Sequence, residues 1–242
     1  MKKIKIIPDV NRIFTVNPVV QNYDTIMMIG SKNYVTSKKR QILKRVFDIC
    51  VGLVGCFVLI PLTILVWFKT DEEERKHGIF FTQDRIGING EKIKIYKFRS
   101  MVTGADEILR KMLEQDSNIR EEYRKNKKLK DDPRITKIGK LLRKTSLDEF
   151  PQFINVIKGE MSFVGPRPYL FNEIEDMGKS YEKIINLKPG ITGMWQAHGR
   201  SDTNFNERLI LDEYYYRNWI LWLDVIIIIK TIKNVVAKEG AY

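Results

Sequence analysis

Histidine and cysteine are scarce in this chain, two of each among 242 residues. Cys50 and Cys56 share one apolar run, which is neither a metal-ligand spacing nor a disulfide framework. Small, buried, apolar roles in a reducing setting are expected of both. With only His77 and His198 available, a Ser-His-Asp triad has little to draw on. Several signatures are absent altogether: GxxxxGK(S/T), GxGxxG after a strand, HExxH, GxSxG and a zinc-type cysteine cluster. Their absence removes P-loop, dinucleotide-binding, zinc-protease and α/β-hydrolase chemistry from the first line of readings. Acidic charge is also short, with 30 Asp+Glu against 42 Lys+Arg and a formal net charge of +12. Such a chain suits anionic partners: nucleic acid, phosphorylated metabolites or an anionic lipid surface. No nucleic-acid recognition motif accompanies the charge, so no nucleic-acid partner is expected.

One long uncharged segment stands out. "ICVGLVGCFVLIPLTILVWF", from Ile49 to Phe68, would reach about 30 Å as a straight helix, the depth of a bilayer core. Pro61 lies inside it and predicts a kink. Lys38, Lys39, Arg40, Lys44 and Arg45 precede it and predict a cytoplasmic start. Everything after the segment is again rich in Lys and Arg, which suits poorly a chain that has crossed. A re-entrant helix, bending at Pro61 and returning to the same face, reconciles these features better than a straight anchor or a buried soluble helix. The opening "MKKIKIIPDVNRIF" is no signal peptide, because Pro8, Asp9, Asn11 and Arg12 break its apolar stretch.

The remaining pattern predicts an α+β chain, mostly helical, with a small β-hairpin. Three regions are expected: an N-terminal extension over 1–37 holding a short strand or two, a membrane helix with its basic flank over 38–69, and a cytoplasmic catalytic domain over 70–242. "GIFFTQDRIGINGEKIKIYKFRSM" has an apolar run, a Gly-Ile-Asn-Gly turn, then Ile93, Ile95 and Phe98 against Lys92, Lys94 and Lys97, a hairpin with one basic face. Residues 104–130 read as polar helix. "DDPRITKIGKLLRKTS" offers Asp132 as N-cap ahead of Pro133. "MSFVGPRPYL" and "NLKPGITGMWQAHGRSD" read as loop. The last forty residues read as helix, with an eleven-residue apolar centre too short to span and broken by Asp224. Its helix is expected in the membrane interface, with Trp195, Trp219 and Trp222 at headgroup depth.

Chemistry therefore falls to carboxylates and arginines. In "KTSLDEFPQF", Ser146-Leu147-Asp148-Glu149 matches a capping box. Pro151 opposes that reading, since with Ser146 as N-cap it would be the fifth helical residue. A helix starting at about Leu147 or Asp148 tolerates Pro151 in its first turn. Both acids would then sit at a helix N-terminus, where the dipole lowers their pKa and keeps them ionised. An ionised aspartate can attack phosphorus, and a neighbouring carboxylate can hold Mg²⁺. Arg143 lies five residues upstream, Arg167 is fixed between two prolines, and Lys97 and Arg99 end the hairpin strand. "KPGITG" offers backbone N–H groups to a phosphate. His198 could bind ligand or be structural.

Five segments resemble, in order, the bacterial sugar transferases, the monotopic polyprenyl-phosphate phosphoglycosyltransferases. They are "KRVFDICVGLVG" with Pro61, "FTQDRIGINGEKIKIYKFRSM", "GKLLRKTSLDEFPQFINVIKGEMSFVGPRP", "KPGITGMWQAHGR" and "LDEYYYRNWILWLD". The resemblance covers about 38 to 242 and leaves 1–37 without a counterpart. It implies a monotopic membrane protein with a Pro-kinked re-entrant helix and interfacial amphipathic helices, in the bacterial inner membrane with its site on the cytoplasmic face. It implies transfer of a sugar-1-phosphate, galactose or glucose by the look of the C-terminal segments, from a UDP-sugar to undecaprenyl phosphate, with release of UMP. By that likeness Asp148 attacks the β-phosphate and forms a phosphosugar-aspartyl intermediate. Glu149 manages Mg²⁺ or a proton, and both carboxylates are metal-ligand candidates. Lys97, Arg99, Arg143, Arg167, Arg200 and His198 become candidates for substrate phosphate or nucleotide. A homodimer and downstream glycosyltransferases are the further partners expected, beside the cytoplasmic membrane leaflet. One departure is Met194, which separates Gly193 from Trp195 where many relatives have tryptophan next. A basic scaffold without catalysis remains the rival, and it leaves the Arg143–Asp148–Glu149–Arg167 group unexplained.

Overall fold

The computed structural model describes residues 18–23, 26–31, 38–126, 129, 131–198 and 203–237. Two strands in the N-terminal extension, β1 (Pro18–Tyr23) and β2 (Ile26–Ser31), pair antiparallel. The first 17 residues and Arg200 lie outside the described residues.

Helix α1 (Lys38–Lys69) runs 32 residues and continues through Pro61. It is long and apolar enough to cross a membrane. Its buried positions Asp48, Gly52, Gly55, Leu59 and Val66 recur at helical spacing and form one face. That face lies on helix α6 (Phe153–Lys158), and two glycines permit the approach: a Cβ at Gly52 would meet the Ile157 side chain, and one at Gly55 would run into the Phe153 ring. The opposite face carries Leu53, Val54, Phe57, Ile60, Ile64, Leu65 and Phe68, all exposed. A soluble core helix would bury such a surface, so that reading falls. Cys50 is exposed and Cys56 half-buried on this helix, not the buried pair expected.

The basic flank divides in two. Lys38, Lys39 and Arg40 are exposed. Lys44 instead reaches Asp224 at 2.7 Å and the Val164 carbonyl at 2.9 Å. Arg45 donates to the carbonyls of Val156 and Ile157, at the C-terminal end of α6 where partial negative charge collects. Asp48 accepts from Ser162 Oγ and the Phe163 N–H, both at 2.9 Å. The start of α1 is thus bonded to the domain that follows it.

After the short helix α2 (Glu72–Arg75), strands β3 (Phe80–Ile86) and β4 (Lys92–Phe98) form the expected hairpin. Asn89 (φ 57°) and Gly90 (φ 80°) take left-handed backbone in its turn. The single basic face does not hold. Period two places Lys97 on the same side as Ile93 and Ile95, while Phe98 buries on the other side among Leu59, Val66, Ile79, Ile138 and Leu142. Lys92 and Lys94 stay exposed, whereas Lys97 is half-buried.

Helices α3 (Ala105–Gln115) and α4 (Ser117–Asn126) fill the polar region as expected. Helix α5 (Lys137–Thr145) begins later than its sequence suggests. Thr136, not Asp132, is the N-cap and accepts from the Gly139 N–H, while Asp132 is ion-paired to Arg134 at 2.6 Å. Two stretches read as loop contain the parallel strands β5 (Ser162–Val164) and β6 (Gly190–Thr192). Their three-residue length leaves no periodic signal. Helices α7 (Ile174–Met177), α8 (Tyr181–Ile184) and α9 (Met194–Ala197) are single turns. Helices α10 (Phe205–Asn218) and α11 (Leu221–Ala237) complete the domain. Of the three tryptophans expected at a surface, only Trp222 is exposed. Trp219 is 3% exposed with its indole N–H on Asp224, and Trp195 is half-buried between arginines.

Candidate active site

Three elements converge on Asp148 and Glu149. Strand β4 supplies Lys97, α5 supplies Arg143, and a six-residue 3-10 helix, Leu147–Gln152, carries both acids in its first turn. Ser146 makes the corner with a left-handed backbone (φ 57°) and no side-chain cap bond, so the capping-box reading fails. Pro151 is accommodated inside this 3-10 segment, and α6 starts only at Phe153. Helix α5 is docked by Gly139, whose Cβ would overlap the Ser100 carbonyl; Ser100 Oγ in turn accepts from Arg143 Nε at 2.9 Å.

The two carboxylates have different surroundings. Lys97 Nζ lies 2.8 Å from Glu149 Oε1, and the Glu149 side chain is 30% exposed. Burial pushes the Glu149 pKa up, but Lys97, with Arg167 and Arg85 at longer range, outweighs it and holds the group below the usual carboxylate range. Asp148 goes the other way. Burial and the adjacent Glu149 charge exceed the pull of Lys97 and Arg143, and raise its pKa to about 6. Of the two values expected to fall, only that of Glu149 does, and there Lys97 and the arginines rather than a helix N-terminus are the cause. At Asp148 burial is the largest effect and the Glu149 charge the next, and a short 3-10 turn offers little dipole against them.

Arg167 enters from the Gly-Pro-Arg-Pro loop after β5. Its backbone N–H donates to Asp212 Oδ2 at 3.1 Å, and Tyr169 Oη donates to the same oxygen at 2.7 Å. Its guanidinium lies 5.4 Å from the Trp195 ring centroid. Asp212 is fully buried, and burial lifts its pKa to about 7 against these two donors. Two further arginines, absent from the sequence reading, stand nearby. Arg85 on β3 is 7% exposed and Arg208 on α10 is 4% exposed. Burial and the Arg167 charge lower both to about 10. Their signal in the sequence was slight: Arg85 sits in the hairpin segment already singled out, and Arg208 in a stretch read only as helix.

Other candidates have separate placements. Arg99 donates to the carbonyls of Gly78, His77 and Phe80, fastening the chain ahead of β3. His198 is exposed, with Nδ1 2.9 Å from the Met194 carbonyl and Nε2 3.1 Å from Lys230 Nζ. Among the described residues, no group of three or more His, Cys, Asp or Glu side chains forms a metal cluster. The Asp148–Glu149 pair still suits a hard cation: its donors are oxygen, and two adjacent carboxylates there share one lysine, which bonds Glu149.

The bacterial sugar transferase family model matches residues 39–238. The undecaprenyl-phosphate galactose phosphotransferase of Salmonella typhimurium is 40% identical over 217 residues, covering 90% of this chain and 45% of that protein. The exopolysaccharide production protein ExoY of Sinorhizobium fredii is 40% identical over 201 residues, covering 83% of this chain and 88% of that protein. The UDP-glucose:undecaprenyl-phosphate glucose-1-phosphate transferase of Escherichia coli is 34% identical over 233 residues, 93% of this chain and 45% of that protein. The chain thus spans under half the length of two of these relatives and most of the third. On the strength of a match running through α1 and every element of the site, the chain belongs to the bacterial sugar transferase family.

Proposed function

We propose that this chain transfers a hexose-1-phosphate, galactose or glucose, from a UDP-sugar to undecaprenyl phosphate, releasing UMP, at the cytoplasmic face of the bacterial inner membrane. The observation that carries this reading is the asymmetric dyad: Asp148 raised to about 6 beside Glu149 held ionised by Lys97 at 2.8 Å. At neutral pH Asp148 is mostly a carboxylate, yet basic enough to be a useful nucleophile. An Asp148 carboxylate oxygen attacks the β-phosphorus. The bond from that phosphorus to the bridging oxygen breaks, and UMP leaves with that oxygen. An oxygen of the lipid phosphate then attacks the aspartyl-bound phosphorus and returns Asp148 as a carboxylate. Arg143, steadied by Ser100, and Arg167, fixed through Asp212, are suited to the phosphate oxygens. Asp148 and Glu149 would hold Mg²⁺, which when bound supplies positive charge to the transferring phosphoryl group.

The membrane half of the proposal is a re-entrant α1 bending at Pro61. Supporting it, Asp48 near one end and Val66 near the other both pack on the same domain, while the outer face is apolar and exposed. UMP release across a panel of UDP-sugars, with undecaprenyl phosphate supplied, tests the reaction and names the sugar. EDTA should stop release and added Mg²⁺ restore it. Cysteines introduced at positions 39 and 233, with Cys50 and Cys56 replaced, should both label from the cytoplasm. Labelling from opposite sides would remove the re-entrant helix.

A further inference from the structure

Arg134 shows what this protein does with a buried guanidinium that serves the fold: Asp132 meets it at 2.6 Å. Arg85 and Arg208 are as deeply buried, yet among the described residues neither has a carboxylate within 4.0 Å. Arg85 donates to the Pro168 carbonyl (2.9 Å) and Gln83 Oε1 (2.6 Å). Arg208 donates to the Thr203 carbonyl (2.8 Å) and, at 3.4 Å, to Thr203 Oγ1. Arg167 stands within electrostatic reach of both. Among the described residues, three buried donors here have no acceptor: Arg85 Nε, Arg167 Nε and the Trp195 indole N–H. The Trp195 ring gathers two of the guanidiniums, Arg167 at 5.4 Å and Arg208 at 5.3 Å from its centroid. The carboxylates facing the group are partly engaged: Glu149 by Lys97, Glu173 by the Leu170 N–H, and Asp212 through Oδ2 by Tyr169 and the Arg167 N–H, while Asp212 Oδ1 is buried without a donor among the described residues. Two of these guanidiniums are buried and the third, Arg167, is half-buried; burying such charge with no carboxylate in contact costs several kcal/mol, which an anion seated among them would offset.

We propose that Arg85, Arg208 and the Trp195 indole N–H complete, with Arg167, a pocket for a phosphate monoester beside the dyad. A monoester dianion offers three oxygens to planar, forked donors, the match guanidinium makes best. This rests on the transferase reading, in which two such groups visit the site in turn: the nucleoside monophosphate that leaves and the prenyl phosphate that accepts. The pocket lies at the positive end of a polarised site, whose negative end is the Asp148–Glu149 pair.

The test is calorimetric titration of the full chain in detergent micelles with UMP and, separately, with farnesyl phosphate. At least one should bind the unmodified protein. Arg208→Gln and Arg85→Gln should each weaken that ligand about tenfold or more, the loss expected for a charge-assisted bond pair. Arg208→Lys, which keeps charge but loses the fork, should fall between. The ligand affected identifies the occupant. Binding of neither probe to the unmodified protein, or affinities within about threefold of it in Arg208→Gln, would overturn the pocket. Arg208→Gln decides the matter alone if Arg85→Gln does not fold. Asp148→Asn separates the two readings: it should lose UMP release while keeping probe affinity, so failure of the nucleophile and failure of the pocket give different results.

Discussion

Two lysine–carboxylate pairs of nearly equal length sit in different regions of this molecule. At the root of α1, Lys44 meets Asp224 at 2.7 Å; at the dyad, Lys97 meets Glu149 at 2.8 Å. The first is saturated. Asp224 is fully buried and also receives Tyr215 Oη at 2.7 Å and the Trp219 indole N–H at 3.2 Å. Lys44 adds bonds to the Val164 carbonyl and Tyr215. The second pair is left unfinished, with one lysine shared against two adjacent acids and Asp148 raised to about 6. Contact length alone does not separate a fastening from a reactive group. What separates them is whether neighbouring donors use up the charge.

The sharpest way to test that contrast is Asp148→Asn, which keeps shape and removes the proposed nucleophile. UMP release should fall on the order of 10⁴-fold with no loss of thermal stability. Near-normal turnover would erase the distinction. Lys44→Met is the complementary change. Leaving Asp224 buried without its cation should cost about 3 kcal/mol of stability by denaturant titration in micelles, with UMP release per folded molecule little changed. A stable Lys44→Met protein would show that the root pair is as dispensable as a surface ion pair.

Lys97→Met should act on chemistry rather than folding. Without that cation both Glu149 and Asp148 shift upward, because Lys97 lowers each of them. The acid limb of kcat/KM, measured at fixed Mg²⁺, should move higher than in the parent. Activity at pH 6 should drop about tenfold, with a smaller loss at pH 8. An unmoved acid limb would detach Lys97 from the dyad. The smallest effect is on stability against pH in metal-free buffer. A folded pKa of about 6 against an ordinary 3.8 means the fold prefers protonated Asp148. That preference costs nothing below about pH 4 and reaches its full cost above about pH 6. Asp148→Asn should therefore gain a few degrees in Tm over the parent between pH 4 and 6.5, and no more above it. A constant Tm difference across that range would contradict the raised value.

Much of this was legible in the chain. The Gly-Ile-Asn-Gly turn and its flanking alternation located the hairpin, because turn chemistry and period two are local properties. The long apolar segment announced α1 by composition, and Pro151 placed the start of the 3-10 helix after Ser146. The misreadings have one cause, that residue type does not say which partner a side chain will take, near or far in sequence. Asp132 looked like a cap but pairs with Arg134. Lys44 and Arg45 looked like a membrane flank but bond residues more than a hundred positions away. Trp219 looked interfacial but turns inward to Asp224.

By itself the sequence determined the residue types that could act, two adjacent acids and a surplus of arginines in a chain without histidine or cysteine chemistry, and the order of elements that carry them. Only the tertiary structure decided which acid is held ionised and which is raised. That depends on Lys97 arriving from a strand 52 residues away and on how much water the closing domain leaves around each oxygen. It also decided that Arg85 and Arg208, unremarked in the chain, stand beside Arg167. Electrostatic work scales with distance and burial, and neither quantity exists until the chain has folded.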